Sequence, residues 1–211
     1  MKKIQLLLIL LLGISTVSLG QADPFTGSEK ISKKLYDFTH FSKISLLDID
    51  GETEITTGDS FKIEIKMREK YLPILFVTEN NNELQIKFNY TRENNKYIFD
   101  PRIRIKITCP SLTEVYKQGN SSVRIRVKKQ DKIILFNEGN GSAALSGEVE
   151  ELILKNGGNG KTDARKLVAK KVQVESFGNG NVLIQATENA MGKRNGNGLI
   201  IQEGKAPLKL N

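Results

Sequence analysis

The chain of 211 residues carries 32 basic and 24 acidic side chains, which gives a formal net charge of +8. This length suits one ordinary domain with a core large enough to fold without stabilising disulfides or metal ions. The only cysteine, Cys109, cannot form an internal disulfide, and with the single histidine His40 it offers too few ligands for the usual zinc sites. We therefore expect no cofactor.

The first 20 residues have the pattern of a cleaved signal peptide. Lys2 and Lys3 precede the apolar run 6–12, and small residues follow up to Gly20. The apolar run is shorter than the roughly 20 residues that a transmembrane helix needs. We expect an exported protein, periplasmic or at the cell surface, with no transmembrane segment in the mature chain.

Residues 21–40 form a polar N-terminal segment, in which Ile31, Leu35 and Phe38 stand at helical spacing. They could form a short docking helix. Residues 41–211 show the alternation of short strands and turns, and no long linker interrupts them. We therefore expect a single β domain over 41–211.

Before the first glycine–asparagine pair, the chain shows strands separated by turns. The stretches "ENNNE" (79–83) and "TRENNK" (91–96) have the composition of turns or loops. In "IKITCP" the alternation places Cys109 on the same side as Ile105 and Ile107. This pattern predicts a small buried hydrophobe rather than a reactive thiol.

Glycine–asparagine pairs then recur at intervals of 20, 19, 20 and 18 residues. The glycines of these pairs are Gly119, Gly139, Gly158, Gly178 and Gly196. The residues four and six positions before the first four glycines, all apolar except Thr113, alternate as in a strand with one buried face. A period near 20 predicts a stacked repeat, with one such pair at the same corner of each coil.

The residue types of the pair suit a corner. Glycine and asparagine tolerate a positive φ at little steric cost, and asparagines about 4.8 Å apart could hydrogen-bond as a ladder. A phosphate-binding loop is the rival explanation of "GNG", but it requires a following helix, which this sequence does not predict. We therefore assign the pairs a structural role.

The same spacing, extended backwards, predicts a column of inward-facing residues in successive coils. Its members are Leu84, Ile86, Ile103, Ile105, Val123, Ile125, Leu145, Val182 and Ile184. Ile63 and Ile65 would continue the column one coil earlier, although antiparallel hairpins can produce similar spacing there.

Three stretches carry a family resemblance from about Phe38 to the end of the chain. They are "FSKISLLDIDGETEITTGD", "IRIKITCPSLTEVYKQGN" and "GKRNGNGLIIQEGKAPLKL". In these stretches and in the spacing of its corners, the chain resembles the auto-transporter adhesin head GIN domain family of secreted bacterial proteins, which is frequent in Bacteroidetes. The resemblance implies export and a parallel β-helix-like solenoid, and it brings no catalytic motif. We predict an all-β, right-handed parallel β-helix-like solenoid with about 20 residues per coil, less regular in its N-terminal part.

Basic residues take several outward positions of the predicted coils. Lys87, Lys106 and Arg126 fall in one outward column, which Arg165 continues two coils further along, beyond Ser146, while Arg104 and Arg124 make a parallel pair. The predicted binding residues are Lys87, Arg104, Lys106, Arg124, Arg126 and Arg165. Like charges on neighbouring strands are mildly destabilising. An acidic polysaccharide or the phosphates of an envelope lipid would offset that cost through charge-assisted hydrogen bonds. The alternative is a solvated strand face whose long side chains splay apart and protect against edge pairing.

We predict a binding or structural protein of the cell envelope, adhesin-like and not an enzyme. A protein partner is an alternative to the polysaccharide or lipid ligand. The alternative is a β-helix polysaccharide-degrading enzyme. Glycoside hydrolysis needs two carboxylates about 5 to 9 Å apart, and Glu148, Asp163, Glu175 and Glu188 form no obvious outward pair. The absence of tryptophan also weakens a sugar-stacking groove. Nucleic-acid binding is not expected, because the chain has a predicted secretory signal and no nucleic-acid-binding motif.

Overall fold

Alternating apolar and polar residues form strands through most of the chain. The computed structural model describes residues 30–89 and 102–211. The predicted signal peptide and the loop predicted over 91–96 lie outside the described residues. The strands are β1 (Ile31–Tyr36), β2 (Lys43–Leu47), β3 (Gly51–Thr57), β4 (Lys62–Arg68), β5 (Leu75–Asn80), β6 (Glu83–Phe88), β7 (Ile103–Cys109), β8 (Glu114–Gln118), β9 (Ser122–Glu138), β10 (Ala143–Asn156), β11 (Thr162–Ser176), β12 (Val182–Ile184), β13 (Ala186–Arg194), β14 (Ile200–Gln202) and β15 (Leu208–Leu210). Within the described part, the helical structure is one 3₁₀ turn, Glu69–Ile74.

All 15 strands belong to one open, curled sheet, so the predicted all-β class is confirmed. The sheet curls through its long strands β9, β10 and β11. The N-terminal arm of β9 pairs with β3, whereas its C-terminal arm pairs with β8. The register shifts in the middle of β10, between Gly147 and Val149, where the long strands change direction.

The two arms belong to two ladders of strands. The first ladder runs in the order β1-β4-β7-β3-β9-β10-β11-β12-β14. The second ladder runs β5-β6-β2-β8-β9-β10-β11-β13-β15. Strands β9 to β11 are common to both, and this continuity makes the two ladders one sheet.

From β9 onward the pairing is parallel. In the first ladder Val123 lies beside Ala143, Ala143 beside Thr162, Thr162 beside Val182, and Val182 beside Ile200. These partners are 20, 19, 20 and 18 residues apart, the same intervals as the glycine–asparagine pairs. The sequence period is therefore the register of the parallel strands.

The N-terminal part departs from the predicted stacking. Ile63 and Ile65 lie on β4, which is antiparallel to β7, so Ile65 faces Ile105 across an antiparallel pair. Residues Leu84 and Ile86 lie in the second ladder, beside β2. Strand β3 separates β7 from β9 and pairs in parallel with both. The predicted order of coils before Ser122 is wrong, because these strands pair by topology rather than by sequence succession.

The segment predicted as a short helix is strand β1. Its six residues, Ile31 to Tyr36, pair antiparallel with β4 at the end of the first ladder. A helix this short is unstable alone in water. The edge of β4 offers unpaired backbone groups, and pairing there satisfies them.

The predicted inward column is confirmed as core. All nine of its members are at most 2 % exposed. Cys109, Ile105 and Ile107 are buried as well, as the alternation predicts. Burial raises the pKa of the Cys109 thiol to about 12, which keeps it protonated and unreactive.

Glycine is required at the corners for two different reasons. Gly119 and Gly139 have φ values of +105° and +94°, the left-handed region that the sequence argument invoked. Gly158, Gly178 and Gly196 do not adopt this conformation. A Cβ on each of them would instead overlap the backbone carbonyl oxygen of the corner glycine one strand earlier. The close stacking of backbones thus explains the later corners.

The predicted asparagine ladder is confirmed. Asn140 Nδ2 donates to Asn120 Oδ1 at 3.2 Å, and Asn159 donates to Asn140 at 2.8 Å. Asn179 and Asn197 continue the ladder at 2.8 and 3.0 Å. All five side chains belong to exposed residues, so the ladder runs along the outside of the corners.

Candidate functional site

The predicted basic column is interrupted by acidic residues of β3. Glu52 lies in register with Arg104, and Glu54 lies in register with both Lys106 and Arg124. Arg104 Nε is 3.9 Å from a Glu52 oxygen, and Arg124 Nη1 is 3.5 Å from a Glu54 oxygen. Opposite charges across neighbouring strands stabilise the sheet modestly. The expected repulsion between β7 and β9 is thereby removed.

Lys87 lies apart from the other predicted binding residues. It is on β6 of the second ladder, in register with Leu47 and Phe76. A single column joining Lys87, Lys106 and Arg126 is therefore wrong. That the predicted residues bind a polyanion stays a prediction.

Arg126 lies beside small residues of the first ladder. On the middle strand β10 the outward residues are Ala144 and Ser146, which are small. Ser146 lies in register with Arg126 on β9 and with Lys166 on β11. A cavity of about 440 Å³ lies on the β11 side of this strip, lined by Ala144, Leu145, Asp163, Arg165, Lys166 and Glu203. We call Arg124, Arg126, Ser146, Arg165 and Lys166 the basic groove.

Arg165 stands at one edge of the basic groove and is held by carboxylates. Its Nε and Nη2 atoms lie 2.9 and 2.7 Å from the two oxygens of Asp163. Its Nη1 lies 3.3 Å from Glu203, and Lys161 also reaches Asp163 at 3.1 Å. The Arg165 guanidinium holds the pKa of Asp163 well below its usual range, and Asp163 raises the pKa of Arg165. The charge of Arg165 is therefore largely compensated within the protein.

Arg126 and Lys166 are the basic residues of the groove that remain available to a ligand. Both are exposed, and neither has an ion pair within the described residues. Strands in a ladder lie about 4.8 Å apart, so Arg126 and Lys166 are separated by about two such spacings. Long side chains can close on one anion across that distance, with the Ser146 hydroxyl between them.

Sequence counting missed Lys166 because of a β-bulge. The register shifts between Ala144 and Ser146, so that Ala144 pairs with Asp163 but Ser146 pairs with Lys166. Strict alternation had placed Arg165 in that position. The available signal was the pair of consecutive polar residues in "ARKL", because a bulge inserts one extra residue into the alternation.

A second polar cluster lies beneath the corners. Lys117 is fully buried, and its Nζ donates to Gly119 O at 2.9 Å and to Gly141 O at 2.8 Å. Burial lowers the pKa of Lys117 to about 8. Asn137 and Asn156 extend the cluster through a hydrogen bond of 3.0 Å. Its burial makes this cluster part of the core rather than a ligand site.

Three of the four carboxylates considered for hydrolysis are engaged by cations. Glu148 lies 3.0 Å from Lys129, and Glu175 lies 3.4 Å from Lys155. Asp163 is held by Arg165, as described above. In the part of the chain that the structure covers, no group of three or more His, Cys, Asp or Glu side chains is placed to hold a metal ion. The same part contains no helix long and apolar enough to cross a membrane.

Comparison with known proteins agrees with this architecture. The family model described as "putative auto-transporter adhesin, head GIN domain" matches residues 40–206. The chain belongs to this family. The family resemblance predicted from the corners and the flanking strands is thereby confirmed, and nothing in the family's description indicates catalysis.

Solved structures are similar to this GIN domain at low sequence identity, and the first of them shares its fold. A putative adhesin from Bacteroides fragilis is 20% identical, with a TM-score of 0.62 over 87% of this chain and 98% of the other. A putative adhesin from Parabacteroides distasonis is 16% identical, with a TM-score of 0.49 over 88% and 94%. One from Parabacteroides merdae is 18% identical, with a TM-score of 0.47 over 88% and 98%. No curated protein matches the chain.

Proposed function

We propose that this GIN domain is an exported, adhesin-like binding protein of the bacterial cell envelope, periplasmic or on the cell surface. Its ligand is an anionic group, a phosphate or a carboxylate, of an acidic polysaccharide or an envelope lipid. The basic groove is the proposed site. The observation that carries this proposal is the placement of Arg126 and Lys166 on either side of Ser146, where neither forms an ion pair with a carboxylate of the described residues.

The neighbouring charges favour this location over the surface positions at which lysines and glutamates pair across adjacent strands. Elsewhere lysines and glutamates of adjacent strands pair, as Lys132 does with Glu151 at 2.9 Å and Lys170 with Glu150 at 2.7 Å. Such paired positions offer an anion little net attraction. Arginine and lysine hold phosphate and carboxylate through charge-assisted hydrogen bonds, each contributing about 1.5–3 kcal/mol.

We also propose that the two ladders form a right-handed parallel β-helix-like solenoid with about 20 residues per coil. The offsets of 18 to 20 residues between successive parallel partners from Val123 to Ile200 support it. A solenoid of this kind would present the basic groove on one flat side and the asparagine ladder along one edge. An enzyme is not proposed, because three of the four candidate carboxylates, Glu148, Asp163 and Glu175, are taken up in ion pairs.

The binding proposal is tested with the double variant Arg126→Gln/Lys166→Gln. The probes are vesicles containing anionic phospholipid, vesicles of neutral lipid, and an acidic and a neutral polysaccharide. We expect the parent protein to bind the acidic probes at low salt and to lose affinity as salt rises, since exposed charges are screened within about 8 Å at physiological ionic strength. Loss of two charge-assisted hydrogen bonds should weaken binding about 100-fold or more.

A matched control removes the same charge elsewhere. The double variant Lys193→Gln/Lys209→Gln changes two exposed lysines of the second ladder, and it should bind as the parent does. Equal loss in both variants would show that net charge alone attracts the ligand. Binding by the groove variant at the parent's strength, or no binding by the parent at low salt, would overturn the proposal.

A further inference from the structure

The corners contain a chemically reactive dipeptide six times within the described residues. The pairs are Asn140-Gly141, Asn156-Gly157, Asn159-Gly160, Asn179-Gly180, Asn195-Gly196 and Asn197-Gly198. In an Asn-Gly pair, the glycine nitrogen can attack the side-chain carbonyl carbon of asparagine, because glycine has no side chain to hinder the approach. A C–N bond forms to the glycine nitrogen, the bond to the side-chain nitrogen breaks, and ammonia leaves. Water then opens the cyclic imide to aspartate or isoaspartate.

This reaction requires two groups to be free. The glycine N–H must lose its proton, and the asparagine amide must rotate towards the main chain. A hydrogen bond to either group slows the reaction, because that bond must break first. The hydrogen bonds of each pair therefore decide its reactivity in the folded protein.

Both groups are held in the four pairs of the asparagine ladder. The amides of Asn140, Asn159, Asn179 and Asn197 each donate to the preceding asparagine. The following glycines donate their N–H groups to the carbonyl oxygens of a stacked corner at distances of 3.0 to 3.2 Å. The ladder thus immobilises the electrophile and the nucleophile together.

Asn156 is protected by burial. Its side chain donates to Gly180 O at 3.2 Å and accepts from Asn137 and Thr162 at 3.0 and 2.8 Å. The N–H of Gly157 donates to Asn137 O at 2.9 Å. This pair is held as firmly as those of the ladder.

Asn195 differs from the other five asparagines. It is exposed, and within the described residues its side chain makes no hydrogen bond and the N–H of Gly196 has no acceptor. Asn195 takes the corner position that Glu138, Gly157 and Phe177 occupy in the earlier strands. The residue that follows this position is Gly139, Gly158, Gly178 or Gly196, and within the described residues the N–H of each of these four glycines has no acceptor. Of the four residues that precede them, only Asn195 is an asparagine.

We propose that Asn195 is a site of spontaneous deamidation in the folded protein and that the other five Asn-Gly pairs are protected by the fold. The aspartate product places a negative charge beside Lys193 and Arg194. The isoaspartate product also adds one methylene group to the main chain of the last corner. That insertion displaces Asn197 from Asn179 and removes the last hydrogen bond of the ladder.

The test is incubation of the folded protein in mildly alkaline buffer, followed by peptide mapping with mass spectrometry over time. Conversion at Asn195 should be about tenfold or more faster than at any of the other five sites, since each of those must first break two hydrogen bonds. In urea the six sites should react at similar rates. A folded protein in which Asn195 reacts no faster than Asn140 or Asn159 would overturn the proposal.

Two variants complete the test. Asn195→Gln should abolish the acidic species that accumulates on ion exchange, because glutamine cyclises far more slowly. Asn140→Ser should free the ladder locally and speed conversion at Asn159, whose amide then loses its acceptor. If the Asn195→Gln variant accumulates the acidic species at the parent's rate, the reactive site lies elsewhere.

Discussion

Replacing Gly158 by alanine should destabilise the protein because a Cβ at this position has no space. In the structure that atom would overlap the carbonyl oxygen of Gly139 and would crowd the Gly139 nitrogen and carbonyl carbon. All three are backbone atoms, so no side-chain rotation can relieve the contact. The φ of Gly158 is not in the left-handed region, so the cost is steric rather than conformational.

The expected magnitude follows from overpacking, which costs about 1–3 kcal/mol and occasionally more. We expect the upper part of this range, because the corner is also stacked against Gly178 on its other side. For a domain of this size each kcal/mol shifts the melting temperature by about 2–4 °C, so Gly158→Ala should melt about 5–10 °C below the parent. Urea unfolding followed by circular dichroism measures the free energy of unfolding.

The neighbouring residue supplies the matched control. A Cβ on Gly157 would meet only the Cγ of Glu138, at 3.4 Å, an ordinary contact. Gly157→Ala should therefore be neutral or stabilise by about 0.4–1 kcal/mol through the unfolded chain. Equal unfolding midpoints for the two variants would refute the close stacking of corner backbones.

Three further predictions concern the core. Ile125→Asp buries an unpaired charge and should lower the free energy of unfolding, measured in urea, by several kcal/mol. Arg126→Asp on the exposed face should lower it far less. Equal losses in the two variants would show that the strand register is off by one residue. Burial lowers the pKa of Lys117 from 10.5 to about 8, so between these pH values the unfolded chain binds more protons than the folded protein does. The free energy of unfolding should therefore rise with pH across this window, by up to about 3 kcal/mol relative to Lys117→Met. A free energy difference between parent and Lys117→Met that does not change from pH 7 to pH 10 would contradict this. Cys109 should resist thiol reagents in the native state and react on unfolding, and rapid labelling of the native protein would show that the thiol is not buried.

The sequence by itself determined the repeating half of the fold. Its period near 20 residues is the offset between parallel partners from Val123 to Ile200, and the alternation correctly assigned the buried column. The asparagine ladder also followed from the sequence, because identical side chains at identical positions of stacked strands must meet. Each of these features depends on the nearest repeat along the chain, which is why the spacing revealed it.

Only the tertiary structure decided which strands lie side by side before Ser122. Strand β3 inserts between β7 and β9, which brings Glu54 between Lys106 and Arg124 and neutralises the predicted column. No local pattern encodes that order, since several strands of similar alternation compete for the same open edges.

The candidate site likewise depended on tertiary structure. A bulge opposite Ser146 exchanged Arg165 for Lys166 beside Arg126, and Asp163 with Glu203 compensated the charge of Arg165. A one-residue shift in register moves a side chain to a new neighbour without changing the period of the sequence. The sequence therefore determined the stacked strands and their corners, whereas the pairing of distant strands determined which charges remain free to bind.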